Sequence, residues 1–332
     1  MKKAVFVIAI GLAVHASAAY HIVRHIPIGG VGGWDYLNVD SAARRLYVSH
    51  SDRVEVIDID AHKVVGTITG LNGVHGIAIA ADVKRGFISN GRAGTMTIFD
   101  LDKLTSIKEV KTTGDNPDAI LYDPATKHVW TFNGRGQNAT AFDTDGNVLG
   151  TVPMGGKPEF AQSDNRGHIY VNIEDKSEIA VIDAKGMKVD KRYPLAPCES
   201  PSGLAIDAVR ERLFSVCENK TMAIVGEDSG RIIATVPIGG GVDGAAADNK
   251  SDLAFSSNGA DGTITVVNAK DGKVVETVPT ARGARTIAFD EKTHHLFVPT
   301  AKFGETPAPT AERPRPRPAI IEGSFEVIEV EP

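Results

Sequence analysis

Apolar residues alternate with small or polar residues over short segments of this chain, and the segments recur about every forty residues. In the fifth copy the alternation predicts strand A at 203–207, strand B at 212–217, strand C at 221–225 and strand D at 231–236. An aromatic residue in strand B follows the end of strand A by seven residues in every copy. These residues are Tyr47, Phe87, Trp130, Tyr170, Phe214, Phe255 and Phe297. Seven copies of this length predict an all-β, seven-bladed β-propeller.

The two ends of the chain carry complementary parts of one blade. The last copy supplies strands A, B and C at 285–289, 296–300 and 324–330. Residues 21–30 resemble 231–240, which is a strand D with its exit glycines. We therefore expect the N-terminal strand to complete the seventh blade and close the ring, with Ile22 opposite Val327. Closure hides sheet edges that would otherwise promote aggregation.

The start of the chain has the pattern of an export signal. Two lysines precede an apolar run at residues 4–14 and the small residues Ala16 and Ala18. This order predicts a signal peptide at 1–18, cleaved after Ala18, and a periplasmic or secreted protein. The run is shorter than the about twenty residues that cross a bilayer, so we expect no membrane span after cleavage. A retained membrane anchor is the alternative. The mature chain, 19–332, is expected to be one monomeric propeller domain.

Charge and cysteine content narrow the possible partners and the compartment. The formal net charge is −6, and no basic stripe with interleaved aromatics occurs, so nucleic acid is excluded as an expected partner. The repeat places Cys198 just before a strand A and Cys217 at the end of the following strand B. Those points lie at the same edge of a hairpin, which favours a disulfide in an exported protein. Two unreactive thiols are the alternative.

Strand B carries a short motif in several copies. The clearest examples are Tyr47-Val48-Ser49-His50, Phe87-Ile88-Ser89-Asn90, Phe255-Ser256-Ser257-Asn258 and Phe297-Val298-Pro299-Thr300. These motifs resemble the YVTN-repeat β-propeller family, which includes the YncE-like exported proteins, and the resemblance covers about residues 20–332. It implies the propeller fold. Related propellers include periplasmic binding proteins, surface-layer proteins, lactonases and lyases, so the resemblance does not select one function.

The polar residues fall into two sets. Aspartates that recur at strand ends form tight turns, because Asp bonds its own backbone there. A second set lies five residues before the end of each strand A, where the residue type varies from blade to blade. Its members are Asp35, His75, Asp118, Pro158, Ser202, Asp243 and Arg285, and Glu159 adjoins Pro158. In a ring these positions converge on one mouth of the central channel. The candidate binding residues are therefore the members of this set other than Pro158, together with Glu159.

Three interpretations of this mouth stay open. Carboxylate oxygens suit Ca²⁺ or Mg²⁺, and the candidate metal ligands are Asp35, Asp118, Glu159 and Asp243. In that case His75 is the candidate catalytic acid or base. The mouth could instead bind a small polar ligand. It could also be a solvated acidic lining in which Arg285 is a partial counter-charge.

The last copy contains a Pro/Arg-rich insertion at 302–320. Alternating Arg and Pro residues cannot form a helix or a central strand, and they favour an extended chain. We expect a lid over the channel or an arm that docks a partner; a loop without a role is the alternative. The leading hypothesis is an exported binding or scaffold protein whose channel mouth and insertion bind a small molecule or a protein. The alternative hypothesis is a divalent-cation-dependent, lactonase-like hydrolase or a lyase.

Overall fold

A computed structural model describes residues 19–310 and 316–332. It contains seven four-stranded antiparallel sheets arranged as blades, and in the first six the strand order follows the chain. The prediction of an all-β, seven-bladed propeller is thereby confirmed. The predicted signal peptide at 1–18 lies outside the described residues. Within those residues, no helix is long and apolar enough to cross a membrane.

The blades follow one another along the chain. The first strand, β1 (His21–Pro27), belongs to the last blade. The first blade contains β2 (Leu37–Asp40), β3 (Arg45–His50), β4 (Arg53–Asp58) and β5 (Lys63–Ile68). The second contains β6 (Val74–Ala80), β7 (Arg85–Asn90), β8 (Thr95–Asp100) and β9 (Thr105–Lys111). The third contains β10 (Pro117–Asp123), β11 (His128–Asn133), β12 (Asn138–Phe142) and β13 (Val148–Pro153).

The remaining blades repeat this plan. The fourth contains β14 (Pro158–Ser163), β15 (His168–Ile173), β16 (Glu178–Asp183) and β17 (Lys188–Pro194). The fifth contains β18 (Pro201–Asp207), β19 (Arg212–Cys217), β20 (Thr221–Gly226) and β21 (Ile232–Pro237). The sixth contains β22 (Val242–Asp248), β23 (Leu253–Asn258), β24 (Thr263–Asn268) and β25 (Val274–Pro279). The seventh contains β26 (Ala288–Phe289), β27 (Leu296–Thr300) and β28 (Glu326–Glu331), and short 3₁₀ turns span Ala81–Val83 and Glu174–Lys176.

Ring closure occurs as the sequence predicted, but the register differs. Strand β1 pairs antiparallel with β28 and is the outer strand of the seventh blade. Ile22 lies opposite Val330, whereas Ile26 lies opposite Val327. The expected pairing of Ile22 with Val327 is therefore wrong. The physical reason is burial: Ile26 is the β1 residue with no exposed surface, and it shares a buried cluster with Val327.

The aromatic residue of strand B anchors each blade in the core. All seven are at most 2% exposed, as expected for side chains packed between neighbouring sheets. The strand-end aspartates have the turn role predicted for them. For example, Asp58 Oδ1 accepts the backbone N–H groups of Asp60 and Ala61 at 3.0 and 2.8 Å. These acids are therefore structural and do not belong to the channel mouth.

The two cysteines form the predicted disulfide. Cys198 lies three residues before β18 begins, and Cys217 is the last residue of β19. Their Cα atoms are 5.6 Å apart and the sulfurs are bonded. The bond links the loop that enters the fifth blade to strand B of the same blade, on the side where the candidate site residues lie.

Candidate functional site

Irregularities in the inner strands present side chains at the channel mouth. In β6, Val74 pairs with Asn90 and the next pair is Ile77 with Ile88, so His75 lies in a β-bulge. The same shift in register occurs near the start of β10, β14, β18 and β22. A bulge redirects side chains and commonly lies next to a functional site. The bulge residues are His75, Asp118, Glu159, Ser202 and Asp243.

The bulges correct one position of the predicted set. Counting five residues back from Ser163 selected Pro158, but Pro158 pairs with Ile173 and ends the regular ladder, as Val74 does in β6. The equivalent of His75 is therefore Glu159. Counting back from Ser163 selected Pro158 because the turn between β14 and β15 is one residue shorter than in the other blades. The strand pairing therefore extends to Asp164, whose N–H is bonded to His168 O. Pro158 therefore lies just before the bulge, and Glu159, the candidate residue of this blade, lies within it.

The third residue of the strand B motif holds the inner strand of the next blade. Ser89 Oγ donates to the Asp118 carbonyl oxygen at 2.5 Å, and Ser257 Oγ donates to the Arg285 carbonyl oxygen at 2.5 Å. In the fourth blade Asn172 has this role and donates to Ser202 O at 2.8 Å. A motif that the sequence linked only to the fold therefore also fixes the backbone of mouth residues across blade boundaries.

Six of the predicted residues form one continuous chain of polar contacts around the mouth. Ser202 Oγ donates to Asp243 Oδ1 at 2.7 Å, and Arg285 Nε donates to Asp243 Oδ2 at 2.7 Å. Arg285 Nη2 also reaches Asp35 Oδ1 at 3.4 Å. His75 Nδ1 lies 2.5 Å from Asp35 Oδ2 and 3.3 Å from Asp118 Oδ1. Each cation therefore contacts two carboxylates.

Glu159 lies beside this chain with a cation of its own. Lys157 Nζ is 3.1 Å from Glu159 Oε2 and also forms an ion pair with Glu174. The sequence gave no reason to select Lys157, since it lies outside the inner strands. Its position follows from the short connection into β14, which brings its side chain back over the bulge.

A cavity of about 570 Å³ occupies the mouth. Its floor includes Tyr36, which is only 5% exposed and lies in a buried cluster with Ala119 and Ala161 from the opposite side of the ring. The Tyr36 ring meets the Phe160 ring edge to face at 5.0 Å. A second cavity of about 470 Å³, lined by Phe160, lies further along the channel. The two aromatic rings therefore separate the mouth from the rest of the channel.

Sequence reasoning missed this floor, although a signal was present. Tyr36 and Phe160 each follow a mouth residue directly. The equivalent positions in the other blades carry smaller residues, which are Gly76, Ala119, Gly203, Gly244 and Thr286. At Gly203, an added Cβ would lie 2.6 Å from the backbone of Gly244, so the inner strands leave no space there. Large residues in two blades, at a position that carries a small residue in the other five, indicate that these side chains block the channel.

The insertion borders the same cavity. We call residues 302–310 and 316–320 the mouth ribbon, because Phe303 bridges to Ile320 and Gly304 N–H bonds Ala319 O at 2.9 Å. Phe303, Arg317, Pro318 and Ile320 line the cavity. Trp34 lies beneath the ribbon, with its ring 6.1 Å from that of Phe303 and stacked 5.3 Å from that of Phe325. The base of the predicted lid therefore forms one wall of the mouth.

Burial and crowding of like charges change the acidity of the mouth groups. Burial alone would lower the pKa of His75, but its hydrogen bonds to Asp118 and Asp35 outweigh burial and raise it to about 10. Burial, with the nearby Asp118 charge, raises the pKa of Glu159 to about 9. Burial also raises the pKa of Asp243, although Arg285 opposes the shift. At neutral pH, His75 is therefore a cation and Glu159 is protonated.

The predicted metal ligands divide into separate groups. Within the described ranges, the one set of His and carboxylate atoms that could share an ion is Asp35, His75 and Asp118, whose ligand atoms all lie within 4.8 Å of one another. Asp243 is bonded to Arg285 and Ser202 instead. An imidazole with two carboxylates suits a transition-metal ion such as Zn²⁺ or Mn²⁺ better than Ca²⁺ or Mg²⁺. Such an ion would have to displace the His75 proton.

The raised pKa values predict a protein that loses stability in alkali. The pKa of His75 rises from 6.5 to about 10 on folding, so its contribution is complete below pH 6.5 and is lost as pH approaches 10. The pKa of Glu159 is raised from 4.5 to about 9, so the stability that its protonated form contributes is also lost as pH rises through this range. We expect the free energy of unfolding to fall by about 2 kcal/mol between pH 6.5 and 10, measured by urea denaturation.

A matched variant isolates the mouth histidine. His75→Gln should flatten much of this pH dependence, whereas His21→Gln should keep it, because the His21 side chain is 59% exposed at the outer strand. Equal slopes for the wild type and His75→Gln would show that the His75 cation does not stabilise the folded mouth.

Comparisons with known proteins identify the fold and no family. No family model matches the chain, and no curated protein matches it. Among solved structures, the chain is similar to hydrazine synthase of Kuenenia stuttgartiensis, with 15% identity and a TM-score of 0.73 over 81% of this chain and 92% of that chain. It is also similar to U3-55K, with 11% identity and a TM-score of 0.76 over 92% of this chain and 98% of that chain. Identities this low establish the propeller fold alone.

Proposed function

We propose that this protein is an exported binding module that takes a small ligand in the channel mouth. The observation that carries the proposal is the cavity of about 570 Å³, which is closed at its base by Tyr36 and Phe160. Its volume is typical of small-molecule sites. Charged side chains from several blades surround it, and the mouth ribbon forms one wall. Secretion or a periplasmic location is part of the proposal, and the disulfide supports it because such bonds persist in oxidising compartments.

The mouth ribbon gives the module a second contact surface. Its base is fixed through Phe303 and Ile320, while residues 304–310 are exposed. A prolyl-rich segment of this kind docks on a protein partner at low entropic cost, because its extended form is already set. In the proposal, a protein partner that binds the ribbon therefore also covers the mouth.

A cavity-filling variant tests the binding function. Gly33 lines the mouth, and a Cβ added there meets only Ile320 Cδ1, at 3.9 Å, so Gly33→Phe should fold and occupy the cavity. Gly304→Phe is the control, since Gly304 is exposed on the ribbon and its added Cβ meets only Ala319 O at 3.7 Å. Thermal melts are recorded with small amines, carboxylates, sugars and divalent cations.

A ligand of the mouth should stabilise the wild type and Gly304→Phe but not Gly33→Phe. At a hundred times its dissociation constant the ligand adds about 2.7 kcal/mol to the free energy of unfolding. If every compound that stabilises the wild type stabilises Gly33→Phe equally, the mouth is not the binding site and the proposal fails.

The second candidate is a metal-dependent hydrolase, lactonase-like, or a lyase. The clustering of Asp35, His75 and Asp118 favours it. A bound ion there would supply a Lewis acid, and Glu159, held protonated, would be a proton donor nearby. Stabilisation by Zn²⁺ or Mn²⁺ that is lost in Asp118→Asn, together with lactone hydrolysis, would establish this function. Absence of both would exclude it.

A further inference from the structure

Most acidic groups of the mouth already contact a cation of the protein. Asp35 and Asp118 lie 2.5 and 3.3 Å from Nδ1 of protonated His75. Asp243 accepts a hydrogen bond from Arg285 at 2.7 Å. These contacts satisfy the carboxylates within the protein, so the acidic groups by themselves do not select a charged ligand.

Two arginines that line the same cavity have no such partner. Arg282 and Arg317 are exposed, and neither side chain forms an ion pair or a hydrogen bond with any residue that the structure describes. Arg282 lies in the loop between β25 and β26, and Arg317 lies in the mouth ribbon, so both belong to the side of the seventh blade. In a ring of seven blades, the third blade with Asp118 lies across the channel. Glu218, an exposed carboxylate that also lines the cavity, comes from the fifth blade.

A buried donor borders the cavity on the side of the two arginines. Trp34 lines the cavity and is 7% exposed, and its Nε1 has no hydrogen-bond partner among the described residues. A Cβ added at Gly283, which also lines the cavity, would lie 3.3 Å from Trp34 Cζ2, on the same edge of the indole as Nε1. Trp130 Nε1 also lacks a partner, but Trp130 lies between two blades and does not line the cavity. A buried donor without a partner is uncommon, and at a cavity wall it indicates an acceptor atom on a ligand.

The wall next to these donors is apolar. Phe303, Pro318 and Ile320 line the cavity from the mouth ribbon. The Arg282 guanidinium carbon lies 5.9 Å from the centre of the Phe303 ring, which is the geometry of a cation–π contact. A ligand that meets the donors and also covers this wall has an anionic head and an apolar body.

We infer, building on the proposed function, that the mouth binds a small monocarboxylate with an apolar body. Its carboxylate faces Arg282, Arg317 and the Trp34 N–H, and its body lies along Phe303 and Ile320. A planar guanidinium offers paired N–H donors that match the two oxygens of a carboxylate. A single negative charge fits better than a phosphate dianion, because the carboxylates across the channel repel each additional charge.

Four probes that share a phenyl group separate the charge of the head from the shape of the body. Binding of 3-phenylpropionate, 3-phenylpropan-1-ol, 3-phenylpropylamine and phenyl phosphate is measured by isothermal titration calorimetry at pH 7. We expect the carboxylate to bind at least about fivefold more tightly than the alcohol. The amine and the phosphate should both bind more weakly than the carboxylate.

Conservative variants locate the carboxylate. Arg282→Gln should fold, since the side chain is exposed, and it should weaken binding of the carboxylate about tenfold with little effect on the alcohol. Trp34→Phe keeps an aromatic ring against Phe325 and should weaken binding of the carboxylate about threefold. Arg135→Gln is the matched control, because Arg135 is exposed in the loop between β11 and β12 and does not line the cavity. Melting curves confirm that each variant is folded.

Salt dependence gives a readout that a structural role would not change. Added sodium chloride screens a pair of opposite charges, so it should weaken binding of the carboxylate and leave binding of the alcohol nearly constant. This difference should disappear in the double variant Arg282→Gln/Arg317→Gln. A salt dependence that survives in the double variant would assign the carboxylate to other residues and overturn the inference.

The outcomes distinguish the inference from the proposed function. Equal affinity for carboxylate and alcohol, or tightest binding of the amine or the phosphate, would overturn the carboxylate inference. If another class of compound then stabilises the wild type but not Gly33→Phe, the proposed binding function stands. If no compound of any class binds, both the inference and the proposed function fail.

Discussion

Replacing Trp130 with alanine should lower the free energy of unfolding by about 3–5 kcal/mol, the range for a large buried aromatic side chain. Trp130 has no exposed surface and lies among the buried residues shared by the third and fourth blades. Its removal leaves a cavity between two rigid sheets, which cannot collapse to fill it. Urea denaturation of the wild type and Trp130→Ala measures the loss.

Trp130→Phe is the matched variant, and its free energy of unfolding should be close to that of the wild type. The indole Nε1 of Trp130 is buried without a hydrogen-bond partner, and such a donor costs about 1–3 kcal/mol. Phenylalanine removes that donor and keeps an aromatic ring, as at the equivalent Phe87 and Phe214. A loss in Trp130→Phe as large as that in Trp130→Ala would contradict the view that any aromatic ring meets the requirement of this position.

Truncating the buried side chain of the closing strand β1 should lower the free energy of unfolding by nearly as much. Ile26→Ala is expected to reduce the free energy of unfolding by about 2–5 kcal/mol, because Ile26 is fully buried and packs with Val327 and Phe325. The same buried cluster contains Trp34, which lines the mouth. Weakening closure should therefore also loosen one wall of the site. The measurement is a urea melt together with light scattering.

The control for closure is Val23→Ala on the same strand, where the side chain is only half-buried. We expect Val23→Ala to lower the free energy of unfolding much less than Ile26→Ala does. Ile26→Ala should also aggregate at lower urea concentration, because an opened β1 uncovers the edge of β28. If the two variants lose equal stability and neither aggregates, β1 does not hold the ring together.

Contacts within the mouth join distant parts of the chain. Asp35 and Arg285 are 250 residues apart in sequence, yet their side chains meet at 3.4 Å. Only the closed ring brings them together, so removing either partner should affect both the first and the seventh blade. This explains why the mouth could be located by symmetry, whereas the pairs within it could not.

The alternating pattern and the aromatic positions predicted seven blades, because burial of alternate side chains in a strand depends on neighbouring residues alone. The pairing of strands A and B is also local, so the sequence predicted that Cys198 and Cys217 lie together at one edge of a hairpin. Convergence of His75, Asp118 and Asp243 followed from the ring symmetry. The sequence did not predict the register of β1 or the floor made by Tyr36 and Phe160.

Local physics and ring geometry therefore determine different parts of this protein. The sequence by itself determined the blades, the closing strand, the disulfide and the group of residues at the mouth, since each depends on short-range periodicity repeated seven times. The tertiary structure alone decided which of those residues touch, because one-residue bulges redirect side chains and the blades meet around a common axis. Charge sharing among Asp35, His75 and Arg285, and the cavity above Tyr36, arise only when that ring is closed.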